Sequence, residues 1–332
     1  MKKFKIFITG GTGYIGTRLS EELANEGHIV TAYDTQYFGV SNLDKTKNIK
    51  LVKGDIRDIN HLTESSRDHE IFLHLACISN DTSFALNEKL STSVNLDCFE
   101  PMVLAAKKNK ISRFIYASTS SVYGLSEKKD VKEDHPLIPL TLYNKYKGEC
   151  EPLLLKHTDE NFTGVIFRPA TVCGYSKRLR LDLTVNILTN FAYNKGYIKV
   201  FGGDQMRPNL NIKDYIRVVK MFINAPKENV NNQIFNVGYQ NLKVKDIAHI
   251  VKKVCEEKYN KKIDIQFESS DDKRSYHINS DKIYEELKFK PIHTIEESVE
   301  ELCDAFDQGL IPNSFDNDDY YNVKKLLKLN FK

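Results

Sequence analysis

The chain has 332 residues, 41% of them hydrophobic and 28% charged, with 48 basic and 45 acidic side chains for a formal charge of +3. That length suits a large core in one elaborated domain or two compact ones, and the balanced charge lacks the clustered basic face of a nucleic-acid binder. Six scattered cysteines without a C-x-x-C pair argue against a zinc site or a disulfide framework, and no apolar run reaches the roughly 18 residues of a membrane span.

In chain order, residues 4–8 form a short apolar run that reads as a strand. It is too short for a secretory leader after Met1-Lys2-Lys3, so the protein reads as cytoplasmic. The run breaks into Thr9-Gly10-Gly11-Thr12-Gly13-Tyr14-Ile15-Gly16, in which Gly11, Gly13 and Gly16 satisfy G-x-G-x-x-G. A helix over 17–25 follows, with Leu19, Leu23 and Ala24 at helical spacing. Backbone N–H groups at such a helix start are where a pyrophosphate is most easily held. A second strand over 28–33 ends on Asp34, where a carboxylate can accept from a ribose 2′-OH and favours NAD over NADP. An ordinary glycine-rich turn is the plain alternative; the order of strand, glycines, helix, strand and acid speaks against it.

Further apolar runs at 50–52, 71–75, 114–117 and 165–167 alternate with helical stretches at 58–67, 92–108 and 143–157. The alternation predicts an α/β fold, a doubly wound parallel sheet of the Rossmann type with helices on both faces. Beyond residue 170, Gly174, Gly196, Gly202-Gly203 and Pro208 break the pattern into shorter pieces, and a helix over 244–258 carries an apolar stripe. Residues 1–170 are therefore expected to bind the dinucleotide. Residues 171–332 are expected to form mainly a smaller, substrate-binding lobe, with some segments returning to the first domain. The acidic, aromatic run 316–321 has no assignment from sequence.

Tyr143 and Lys147 lie four residues apart at a helix start, on one face. A lysine beside a tyrosine and a pyridinium favours the phenolate, which can exchange a proton with a hydroxyl while hydride moves. Y-x-x-x-K alone also describes a solvated helix face. The run 116–124, a strand ending in Ser118-Thr119-Ser120-Ser121, places hydroxyls where an open parallel sheet binds ligands, or else caps a helix.

With the Gly10–Gly16 turn, Gly54-Asp55-Ile56-Arg57-Asp58, His74-Leu75-Ala76-Cys77, Ser118 to Gly124, Tyr143 to Lys147 and Arg168-Pro169-Ala170-Thr171 in order, the chain resembles the extended short-chain dehydrogenase/reductases. It is most similar to the nucleotide-sugar epimerase/dehydratase family that includes UDP-galactose 4-epimerase. The resemblance implies an NAD-dependent enzyme. It sets Gly10, Gly13, Tyr14, Ile15 and Gly16 against the pyrophosphate, Asp34 on the adenosine ribose, and Asp55 and Ile56 around the adenine. Leu75, Ala76 and Asn95 would border the middle of the cofactor. Thr119 takes the family's catalytic Ser/Thr position, Tyr143 the acid/base role and Lys147 that of its electrostatic partner. Arg207 resembles the arginine that grips the sugar nucleotide's diphosphate, and Arg274 is a second candidate; the bland reading of either is a surface ion pair.

Two departures from the family narrow the chemistry. Ser120 and Ser121 stand where dehydratases carry an Asp-Glu pair, which disfavours 4,6-dehydration, and Cys173 has no neighbouring histidine, which disfavours 3,5-epimerisation. The expected activity is reversible hydride transfer at C4 of a nucleoside-diphosphate sugar, foremost 4-epimerisation. C4 oxidation and 4-keto reduction use the same residues, and a non-catalytic dinucleotide-binding regulator is the distant alternative. The resemblance also implies a homodimer, paired through the helices at 92–108 and 143–157.

Overall fold

The computed structural model describes residues 2–126, 130–269, 275 and 277–329. Strands β1 (Lys5–Thr9), β2 (Ile29–Asp34), β3 (Ile49–Lys53), β4 (Ile71–His74), β5 (Arg113–Ala117) and β6 (Thr163–Pro169) alternate with helices. These are α1 (Tyr14–Asn25), α2 (Ile59–Ser65), α3 (Asp81–Phe84), α4 (Glu88–Thr92), α5 (Phe99–Lys108) and α6 (Leu142–Leu155). β4 and β6 are buried along their whole length, as parallel strands sandwiched between two helical layers must be, and they accordingly read as apolar runs rather than as an alternation.

The later half contains β7 (Thr171–Cys173), α7 (Thr184–Lys195), β8 (Tyr197–Phe201), β9 (Met206–Asn211), α8 (Ile212–Asn224), α9 (Lys227–Val230), β10 (Gln233–Val237) and β11 (Gln240–Lys243). It continues through α10 (Val244–Tyr259), β12 (Asp264–Glu268), α11 (Asp281–Leu287), α12 (Ile295–Asp307) and α13 (Asn322–Lys328). The main sheet has the order β10-β6-β5-β4-β1-β2-β3, with every pairing parallel. Its strand order reverses between β1 and β4, and a crevice opens there beyond the carboxyl ends of the strands.

The second lobe carries the small sheets β11-β9-β7 and β12-β8 over a separate core that includes Val185, Ile198, Ile247, Val251 and Val299. The chain then goes back: α8 buries Ile212, Tyr215, Ile216, Val219, Phe222 and Ile223, and β10 pairs with β6 at the edge of the main sheet. The helix expected over 92–108 is interrupted. It comprises α4, a π turn at Ser93–Asp97 and α5, and the wide turn accommodates the buried Asn95.

Candidate active site

A cleft of ≈280 Å³ lies over the carboxyl ends of the main-sheet strands. Its floor is the turn between β1 and α1, where Gly10 takes a left-handed φ of 76°. A Cβ on Gly10 would sit 2.7 Å from the Ala76 nitrogen, and one on Gly16 would sit 2.0 Å from the Gly10 oxygen. Only glycines let turn, helix and β4 approach so closely. No side chain caps the start of α1, which leaves its first N–H groups for an anion.

Gly10, Gly13, Tyr14, Ile15 and Gly16 all line this cleft, although the Tyr14 hydroxyl donates to the Gly174 carbonyl at 2.6 Å and anchors the second lobe. At one end, the Asp34 carboxylate accepts from the backbone N–H groups of Thr12 at 3.2 Å and Gln36 at 2.8 Å. Burial pushes its pKa up, and those two hydrogen bonds pull the other way. Asp55 and Ile56 line the same end, with Asp55 gripped by the Arg57 guanidinium at 2.6 Å. Leu75 and Ala76 form the middle of the wall. Asn95 stands behind that wall: its side-chain oxygen accepts from the Ile78 N–H at 2.8 Å and its amide donates to the Ile78 carbonyl at 3.0 Å.

The opposite end holds Tyr143 and Lys147, one turn apart on α6. The Thr141 hydroxyl caps that helix by accepting from the Asn144 N–H. The Lys147 ammonium is buried, donates to the Ala117 carbonyl at 2.6 Å and lies 4.7 Å above the Tyr116 ring. Thr119 does not line the cleft; its hydroxyl pairs with Ser121 at 2.9 Å, and Ser121 donates in turn to the Asn144 side chain. Beneath them, Glu151 of α6 binds the Ser118 hydroxyl at 2.6 Å and the Arg168 guanidinium of β6 at 2.6 Å, both partners being buried.

The roof contains Arg178 and Arg180 from the loop before α7, a segment expected near the substrate though on no motif, and Asn322 and Leu326 from α13, which sequence reading missed. Their sequence signal is slight, two arginines in the run 176–182. Arg207 lies in β9, paired with Leu242 of β11, and is not among the cleft residues. Arg274 falls outside the described residues.

Glycine turn, fixed Asp34, tyrosine end and basic roof together fit a dinucleotide, with its diphosphate over the start of α1. The model of the NAD dependent epimerase/dehydratase family matches residues 6–238. A UDP-N-acetyl-alpha-D-glucosaminuronate decarboxylase of Bacillus cytotoxicus is 30% identical over 260 residues, covering 75% of this chain and 79% of that protein. A UDP-glucose 4-epimerase of Lactobacillus helveticus is 25% identical over 266 residues, covering 74% and 80%. Among solved structures, the UDP-glucuronic acid 4-epimerase of Bacillus cereus, in complex with UDP-glucuronic acid and NAD, superposes with a TM-score of 0.80 at 26% identity over 92% of this chain and 99% of that one. Motif order, sheet topology and these likenesses agree, and the chain belongs to the NAD-dependent epimerase/dehydratase family of nucleotide-sugar enzymes.

Proposed function

We propose that the protein is a 4-epimerase of a nucleoside-diphosphate sugar. The observation that carries hydride transfer at C4 is the pairing of Tyr143 and Lys147 on one face of α6 at the end of the cleft opposite Asp34, and the 4-epimerases among its relatives favour inversion. The bound dinucleotide supplies a hydride acceptor and donor. Tyr143, as phenolate, takes the proton of the C4 hydroxyl as that carbon is oxidised, and gives it back on reduction. The Lys147 ammonium favours the phenolate. Thr119, paired with Ser121, which Asn144 holds in turn, is the hydroxyl we propose for the reacting oxygen, and Arg207 with Arg274 is our candidate for the substrate's diphosphate. Reduction of the 4-keto sugar from its other face inverts C4.

Incubation with C4-deuterated UDP-glucose tests this by NMR. Epimerisation gives inverted product with deuterium kept at C4, and Tyr143→Phe lowers the rate about a hundredfold or more with NAD affinity unchanged. Accumulated reduced cofactor without inverted sugar makes the protein a C4 oxidase instead.

The decarboxylase relative supports a second reading. If the sugar carries a C6 carboxylate, oxidation at C4 makes a β-keto acid, and loss of CO2 follows; release of CO2 from a UDP-uronic acid distinguishes it. We also propose a homodimer through α5 and α6, since Leu104 stands exposed on the outer face of α5. Leu104→Glu should then shift the sedimentation coefficient from dimer to monomer.

A further inference from the structure

The C-terminal segment has a place over the cofactor cleft. The Leu181 N–H donates to the Tyr320 carbonyl at 2.9 Å, and the Asn322 N–H donates to the Asp182 carboxylate at 3.1 Å. The Asn322 side chain accepts from Arg178 at 2.6 Å and donates to the Ser79 hydroxyl at 2.9 Å. One asparagine therefore ties together the chain end, the arginine loop and the segment after β4. That loop is anchored on the glycine turn as well, because Asn186 donates to the Arg180 carbonyl at 2.8 Å and to the Tyr14 hydroxyl at 3.3 Å.

Held this way, Arg178 is only 5% exposed, with its guanidinium 3.8 Å from the Phe38 ring centroid. Its Nε and Nη1 have no hydrogen-bond partner among the described residues, and neither does Nη2 of Arg180. Burial and the neighbouring Arg180 charge pull the Arg178 pKa down to about 9. The nearest acids are engaged elsewhere: Asp182 holds Arg180 at 2.8 Å, and Asp34 accepts from backbone N–H groups. Desolvated cations with unused donors lining a cleft suit an anion, and a guanidinium suits phosphate oxygens.

We infer that Arg178, with Arg180 beside it, closes over the diphosphate of the dinucleotide from the side opposite the glycine turn, and that Asn322 positions it there. The diphosphate is thus held between the α1 N-terminus and a roof that the chain end completes. Phe38 and Asp34 place Arg178 on the adenosine half of the cleft, which favours the dinucleotide over the sugar nucleotide as the source of the anion.

The test is a titration of wild type, Arg178→Met and Asn322→Ala with NAD, ADP-ribose, adenosine and UDP. In Arg178→Met the dissociation constants for NAD and ADP-ribose should rise about tenfold or more, while those for adenosine and UDP stay within about twofold. Asn322→Ala should show a smaller loss in the same two ligands. The melting temperature of ligand-free Arg178→Met should be little changed, because the bond to Asn322 that is lost is offset by removing a buried cation with two unpaired donors. Unchanged affinity for NAD and ADP-ribose overturns the assignment, as does an equal loss for adenosine. A loss confined to UDP gives Arg178 to the sugar nucleotide and overturns it too. Should Arg178→Met not fold, Asn322→Ala decides by the same ligand pattern.

Discussion

Asp34 is held by two backbone N–H groups, so its carboxylate has a fixed orientation in the cleft. A carboxylate placed this way accepts from the 2′-hydroxyl of an adenosine ribose and repels a 2′-phosphate. NAD should therefore bind at least about tenfold more tightly than NADP, and Asp34→Asn should narrow that gap; fluorescence titration of the two cofactors measures both. Asp34, Tyr143 and Lys147, which all line the cleft, were legible as candidates because their spacing is local: a strand end a fixed distance from a glycine turn, or two positions one helical turn apart. The segment holding Arg178 was expected near the substrate, but its partner Asn322 was not legible, because it lies 144 residues along the chain and no periodicity relates a loop to a distant helix. Asn95, expected to border the cofactor, does not line the cleft. It braces the backbone of the cleft wall from behind, which a motif does not distinguish from lining it.

At the scale of elements, the angle of α6 decides where Tyr143 and Lys147 end up. Glu151, two turns further along, fixes that angle through the buried bridge to Arg168 of β6 and the bond to Ser118 at the end of β5. Removing one partner strands a buried charge, which typically costs about 3–5 kcal/mol. Glu151→Ala should lower the urea unfolding free energy by roughly that amount, and Glu151→Gln, which keeps a hydrogen-bonding shape, should lower it less. Of the main-sheet strands, β1, β2, β4, β5 and β6 were legible as apolar runs because burial on both faces leaves little alternation to misread. The break between α4 and α5 was not legible, since a π turn retains helical spacing on both sides and is set by the side chain it accommodates. α8 and β10 went unseen for another reason. The glycines and prolines of the second lobe mark turns, but they do not say which sheet the next strand will join.

For the whole molecule, three histidines lie in or beside the main sheet. Burial lowers the pKa of His28, His69 and His74 below 6.5, and that of His74 well below it, with the Lys147 charge adding to the effect there. The unfolded chain then binds protons that the folded one refuses. Stability is complete above pH about 6.5 and falls as the pH drops below it, by up to about 1.4 kcal/mol per pH unit for each such group. Urea midpoints at pH 7.5 and 5.5 should show the fall, and His74→Asn should reduce it. The topology has a consequence in time as well as in space. Because β10 covers the outer edge of β6 only after the chain has passed through β7, α7, β8, β9, α8 and α9, a nascent chain synthesised at about 5–20 residues per second carries β6 as a bare edge for several seconds. That unpaired row of N–H and C=O groups invites pairing with another chain. The interval of synthesis between Pro169 and Gln233 is therefore one in which the growing chain is open to edge-to-edge pairing with another.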